Sequence, residues 1–249
     1  MLFFIFEKIF DLKLIIDIGN TNTKIALFDD KKITALETIN HCTFKEVDKF
    51  VGNNKIEKSI ISSVKKHNDE IDKIAYFFNS IILNTKLKVP ILNLYKSKKT
   101  LGNDRLASIV GASYLYSKKN ILVLDLGTCL TSDFITSKKE YIGGRISPGI
   151  DLRLKALNTF TDNLPLIKKE KTYQFIGNTT KSSIISGVQS GIIAEIKLII
   201  DEFENKYSDI IFIMTGGDCF FFEKELKNTI FAEPNLVLIG LNEILDYNE

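Results

Sequence analysis

The segment Leu14-Ile15-Ile16-Asp17-Ile18-Gly19-Asn20-Thr21-Asn22-Thr23 returns later in the chain as Leu122-Val123-Leu124-Asp125-Leu126-Gly127-Thr128-Cys129-Leu130-Thr131. In both copies three apolar residues lead to Asp, an apolar residue and Gly, and a Thr falls six places after the Asp. Each copy runs on into an alternating stretch, 24–28 or 131–135, and then a polar turn at 29–32 or 136–139, so each predicts a β-hairpin. A duplicated unit decides architecture before any single motif does. Two copies of one hairpin-led α/β unit predict two halves, residues 1–117 and 118–249, joined at the polar run Ser117-Lys118-Lys119-Asn120.

The rest of the chain fits this plan. Ile60-Ile61-Ser62-Ser63-Val64 reads as a buried strand, 69–78 and 104–117 carry helical spacing, and Ser182–Phe203 is a long helical segment. The small residues Ser186, Gly187, Ser190, Gly191 and Ala194 on that segment predict close approach of another backbone, within or between chains. Ile210–Met214 reads as a buried strand ended by Thr215-Gly216-Gly217.

Composition removes several classes of function. Of 33 basic residues only three are Arg, and the net charge is +2, so the strong basic excess of a nucleic-acid module is missing. Cys42, Cys129 and Cys219 form no CxxC pair and read as reduced thiols. His41 and His67 are the only histidines, which leaves zinc-finger, HExxH and Ser-His-Asp schemes without their ingredients. Catalytic proton transfer therefore falls to a carboxylate. The apolar start MLFFIF is broken by Glu7 and Lys8, too short for a signal peptide, and no run approaches the roughly 18–20 apolar residues of a membrane span. The expected setting is cytoplasmic, with no membrane and no nucleic-acid partner.

A buried strand ending in Asp, then Gly, then small hydroxyl or amide residues suits phosphate. Gly19 and Gly127 let a backbone approach it, the Asn and Thr groups donate to it, and Asp17 or Asp125 can hold a cation or its water shell. One copy alone is equally a tight turn with a polar tip; two matched copies favour a clamp on one polyphosphate.

Two such hairpins followed by Thr215-Gly216-Gly217 resemble the phosphate 1, phosphate 2 and adenosine motifs of the superfamily that contains acetate and sugar kinases, the heat-shock ATPase and actin. Within it the chain resembles the type III pantothenate kinases. The resemblance is carried by Asp17-Ile18-Gly19-Asn20-Thr21, Gly102-Asn103-Asp104-Arg105, Asp125-Leu126-Gly127-Thr128, Gly143-Gly144-Arg145-Ile146-Ser147-Pro148-Gly149, Gly177-Asn178-Thr179-Thr180 and Thr215-Gly216-Gly217-Asp218, in the family's order from about Leu14 to Leu245. It implies an α/β fold of two ribonuclease H-like (actin-like ATPase) domains, each a mixed sheet with flanking helices, with a cleft between them. It implies transfer of the γ-phosphoryl group of ATP to the 4′-hydroxyl of pantothenate, the first step of coenzyme A biosynthesis.

The same resemblance implies the roles. Asp104 is the general base, and chemistry allows it, since a carboxylate within hydrogen-bond reach can accept a hydroxyl proton. The plain alternative is that Gly102-Asn103-Asp104 only turns the chain and caps a helix. Gly102, Asn103, Asp104, Arg105, Tyr95 and Thr180 are implied on the substrate, Arg105 by a bidentate grip on its carboxylate. Thr180 could equally cap the helix that follows. Asp17, Ile18, Gly19, Asn20, Thr21, Asn22, Thr23, Lys24 and Thr128 are implied on ATP, with magnesium accompanying the nucleotide. Asp125 is implied as ligand to a monovalent cation, potassium or ammonium, and the family is a homodimer. Asp133 either tunes this cluster or ends its strand, and Met1–Lys13 is an extension or a longer first strand. Two other readings stay open: a sugar or amino-sugar kinase of the same superfamily, and a non-catalytic accessory factor for transcription.

Overall fold

The computed structural model describes residues 12–222, 226 and 230–248. The first copy opens with β1 (Leu12–Ile18), β2 (Thr23–Asp29) and β3 (Lys32–Ile39), followed by α1 (Phe44–Val51), β4 (Ile56–Ser63), α2 (Asp69–Phe77) and β5 (Ser80–Ile82). β1 is buried almost throughout, as its unbroken apolar run requires of a central strand, whereas β3 at the edge alternates with exposed residues. β1 pairs antiparallel with β2 and parallel with β4, giving the order β3-β2-β1-β4-β5. Thr43 caps α1 by accepting the Glu46 N–H, and Asn68 caps α2 by accepting the Ile71 N–H at 3.0 Å.

After β6 (Leu92–Asn93), a single 3₁₀ turn at Lys98–Thr100 leads into α3 (Asn103–Leu115). The second copy follows as β7 (Asn120–Leu126), β8 (Cys129–Ile135), β9 (Glu140–Pro148), α4 (Ile150–Thr159), α5 (Thr180–Lys206), β10 (Ile210–Thr215), α6 (Cys219–Phe222), β11 (Ile230–Ala232) and α7 (Leu236–Tyr247). Its sheet runs β11-β10-β7-β8-β9-β6. Apart from β6, added at the edge, this is the order of the first sheet, so the repeat seen in the sequence is a repeat of topology.

By compactness the chain forms two units with discontinuous borders. Unit 1 takes the chain up to Pro90, Ser97–Gly111 and the segment from Val237; unit 2 takes Ile91–Lys96 and Ala112–Leu236. The core of unit 1 packs Leu14, Ile16, Ile25 and Ile61 against Val47 of α1 and Ile71 and Ile74 of α2. Unit 1 is closed by α7. Asp246 pairs with Lys13, Lys31 bridges Glu243 at 2.5 Å and Asp246 at 2.8 Å, and Asn242 donates to the Asp30 carbonyl at 3.0 Å. In unit 2, Leu122, Leu124, Phe212 and Met214 of the sheet meet Ile184, Val188, Ile192, Ile196 and Ile200 of α5.

Of the two readings of Met1–Lys13, the longer first strand holds for Leu12 and Lys13, which belong to β1, while residues 1–11 lie outside the described residues. α5 is long and apolar enough to match a membrane span by length and composition, against the expectation that no segment would be. Its apolar face lies in the core of unit 2, which accounts for that composition.

Candidate active site

In unit 1, Asp17 is the penultimate residue of β1, one residue before the β1–β2 turn. The turn is closed by the Gly19 N–H donating to the Asn22 carbonyl at 3.0 Å, with Asn20, Thr21 and Asn22 exposed at its tip. Lys24 stands opposite Asp17 in the register of β1 and β2, and Ser62 opposite it in β4. Asp17 Oδ1 is buried without a hydrogen-bond partner, and so are the hydroxyls of Thr23 and Ser62. The Asp17 pKa is raised from 3.8 to about 6, by burial first and by the charge of Asp104 second, while Ser62 and Lys24 pull the other way. Ser62 thus faces the carboxyl closely enough to favour its charged form without completing a hydrogen bond of normal geometry.

Asp104 lies in the first turn of α3, where the helix N-terminus favours a negative charge. Its Oδ1 accepts the Arg105 N–H at 2.8 Å, and the glycine at 102 leaves room for that carboxylate, which a Cβ there would strike. Asn103 ties the helix start to the sheet by donating to the carbonyls of Ser63 at 3.3 Å and Leu83 at 3.2 Å. Arg105 is 6% exposed and engaged within the protein.

Unit 2 carries the second hairpin. Gly127 and Thr128 join β7 to β8, and the Gly127 N–H donates to the Cys129 carbonyl at 3.0 Å. The Thr215-Gly216-Gly217 turn presses against this hairpin. Gly216 has a φ of +90°, and a Cβ on it would overlap the Asp125 carboxylate and the Leu126 carbonyl. The Asp218 N–H donates to the Leu126 carbonyl at 2.8 Å, and the Asp218 side chain pairs with Lys169. A carboxylate oxygen beside backbone carbonyls is a hard oxygen set that fits a potassium-like cation. The buried, unpartnered Asp17 Oδ1 likewise fits the water shell of a magnesium ion. Among the described residues no group of three or more His, Cys, Asp or Glu gathers as a protein-built metal site.

Thr180 opens α5 at the border of a cavity of about 1290 Å³ that also contains Gly177, Asn178, Leu157, Phe160 and Val188. Thr179, not Thr180, caps the helix, in a reciprocal box with Ser182. A Cβ on Gly187 or Gly191 would meet nothing within 4 Å among the described residues, whereas Ser186 of the same stripe donates to the Phe175 carbonyl.

Ser62 was missed in the sequence, where nothing sets it apart from Ser59 and Ser63 of the same strand. Asp133 does not end its strand: it lies mid-β8, 1% exposed, and accepts a hydrogen bond from Tyr141.

Residues 13–202 match the family model described as type III pantothenate kinase. The chain belongs to the type III pantothenate kinase family. A type III pantothenate kinase from Cytophaga hutchinsonii is 41% identical over 237 residues, covering 95% of this chain and 100% of the relative. Among solved structures, a Campylobacter jejuni protein assigned to the Baf family of transcriptional activators superposes with a TM-score of 0.62 at 23% identity, over 94% of this chain and 98% of that one. A glucokinase from an Antarctic psychrotroph superposes with a TM-score of 0.53 at 13% identity, over 96% of this chain and 99% of that one. At such identities both speak to the fold alone, and the glucokinase likeness agrees with the ribonuclease H-like strand order of each sheet. The pantothenate kinase is an ATP-dependent phosphotransferase, and neither the sugar-kinase nor the transcription-factor reading is favoured.

Proposed function

We infer that this pantothenate kinase moves the γ-phosphoryl group of ATP to the 4′-hydroxyl of pantothenate, yielding 4′-phosphopantothenate at the entry to coenzyme A biosynthesis. The single observation that carries the chemistry is the Asp17–Asp104 pair of unit 1, in which the Asp104 charge helps to raise the pKa of the buried Asp17 carboxyl. The pair divides the labour: Asp104, at its helix N-terminus, accepts the hydroxyl proton, while Asp17 faces the cation that accompanies the nucleotide. Residues Asp17 to Lys24 and Thr128 bind the phosphates through turn amides, hydroxyls and the Lys24 charge. Asp17 would hold a magnesium ion through its water shell, and that ion would supply charge neutralisation at the transferring group. Asp125, beside the Leu126 carbonyl and the Gly216 turn, holds a monovalent cation, potassium or ammonium.

Gly102, Asn103, Arg105, Tyr95 and Thr180 recognise pantothenate, with the guanidinium of Arg105 directed to its carboxylate. The kinase acts as a homodimer in the cytoplasm, without nucleic acid or membrane. A second copy would cover the exposed small-residue face Gly187, Gly191 and Ala194 of α5 and the 85%-exposed Phe160, which supports that reading. The two repeated halves are proposed as residues 1–117 and 118–249, a reading supported by the start of the second copy's first strand at Asn120. A phosphate-transfer assay with ATP, magnesium and potassium over pantothenate, glucose, N-acetylglucosamine and acetate tests the substrate. Turnover on pantothenate alone is expected; turnover on a sugar without pantothenate would overturn the reading.

A further inference from the structure

A buried carboxylate in the middle of a strand costs stability that an apolar residue would not, so Asp133 calls for a reason. Its Oδ1 accepts a hydrogen bond of 2.6 Å from the hydroxyl of Tyr141, which is itself fully buried on β9. The Tyr141 ring supports the ring of Tyr95, with centroids 6.0 Å apart and planes 13° from parallel. The backbone around Tyr95 is held as well. β6 runs parallel to β9, the Leu94 N–H donates to the Tyr141 carbonyl at 3.0 Å, and the Tyr95 N–H donates to Asn93 Oδ1 at 3.0 Å. Two glycines of β9 make the space. A Cβ on Gly144 would collide with the Asp133 carboxylate and the Ser132 carbonyl. One on Gly143 would lie 3.1 Å from the Tyr95 ring, on a backbone whose φ of +128° disfavours any side chain.

We propose that the buried Asp133–Tyr141 pair is a positioning device: it locks the plane of the Tyr141 ring, and through the stack it sets the orientation of Tyr95 against pantothenate. Stacking alone leaves the lower ring free to tilt about its side-chain torsions, because the terminal aromatic torsion is broad. A 2.6 Å bond to a buried carboxyl oxygen fixes that ring at its far end. Both halves of the Gly143-Gly144 pair then have a use, one admitting the anchor and the other admitting the positioned ring. The proposal rests on the reading of Tyr95 as a substrate contact.

The test is steady-state kinetics with both substrates varied, alongside thermal unfolding. Tyr141→Phe keeps the stacking surface but removes the anchor. It is expected to raise the pantothenate KM about tenfold while the ATP KM stays within about twofold, a loss typical of a misplaced contact. Asp133→Asn retains an acceptor and is expected to keep the pantothenate KM within about twofold of the parent. Asp133→Leu combined with Tyr141→Phe removes the anchor and the buried carboxyl group together. That double variant is expected to unfold no earlier than Tyr141→Phe yet to keep its raised pantothenate KM. In a Tyr95→Ala background, adding Tyr141→Phe is expected to change nothing further.

A double variant with a parental pantothenate KM would show that the pair only packs, and would overturn the proposal. So would a Tyr141→Phe effect that adds in full to Tyr95→Ala. If Tyr95→Ala impairs pantothenate use but Tyr141→Phe does not, the positioning proposal falls alone. If Tyr95→Ala leaves the pantothenate KM unchanged, the substrate-contact reading falls and takes the proposal with it.

Discussion

The carboxylate of Asp104, in the first turn of α3, holds a negative charge near the carboxyl of Asp17 at the end of β1, and burial together with that charge lifts the Asp17 pKa to about 6. The two residues are 87 positions apart in sequence. Their coupling links the carboxylate proposed as the general base to the strand end proposed to face the nucleotide.

A raised acid pKa makes the fold prefer the neutral carboxyl. The fold is therefore stabilised most below the unfolded pKa near 4, and that advantage is lost as pH rises through about 6. At pH 7 the charged, buried Asp17 costs on the order of 3 kcal/mol, at about 1.4 kcal/mol per pKa unit. Asp17→Asn should therefore raise the unfolding temperature of the nucleotide-free enzyme at pH 7.5 and flatten its change between pH 4 and 7, while abolishing turnover. Thermal scans across that range check this; the same slope in parent and variant would refute it.

Asp104→Asn should fold normally and lose turnover by at least about 100-fold, the usual contribution of a general base, with the pantothenate KM little changed. The same variant removes the charge that helps raise Asp17, so the stability change of the first prediction should shift to lower pH. Steady-state kinetics and unfolding scans on one preparation check both. A variant that keeps most of its activity would remove Asp104 from the base role.

Asp125→Ala should weaken activation by potassium, because it removes the carboxylate from the oxygen set beside Gly216. Initial rates titrated with potassium at constant ionic strength read this directly. An unchanged activation curve would place the cation elsewhere.

Gly216→Ala should raise the ATP KM and lower stability by about 1–3 kcal/mol. The added methyl must displace the Asp125 carboxylate or the Leu126 carbonyl, at a φ that side chains rarely adopt. Kinetics with ATP varied and a denaturant titration test the two effects together.

The repeated Asp-x-Gly hairpins were legible in the sequence because everything they need is local: an apolar run, a glycine at the turn and an alternating return strand. The helices over α2, α3 and α5 were legible for the same reason, their spacing being a property of consecutive residues. The motif set in its order was also sufficient for the family. Tertiary structure alone decided the rest. Asp246 meets Lys13 across nearly the whole chain, returning α7 to the first unit. Ser62 faces Asp17 only because β4 pairs in parallel with β1, and Asp133 supports Tyr95 only because β9 and β6 bring Tyr141 between them. Periodicity reports which face of an element is buried, but the partner on that face is chosen by packing between segments distant in sequence, and no local pattern records that choice.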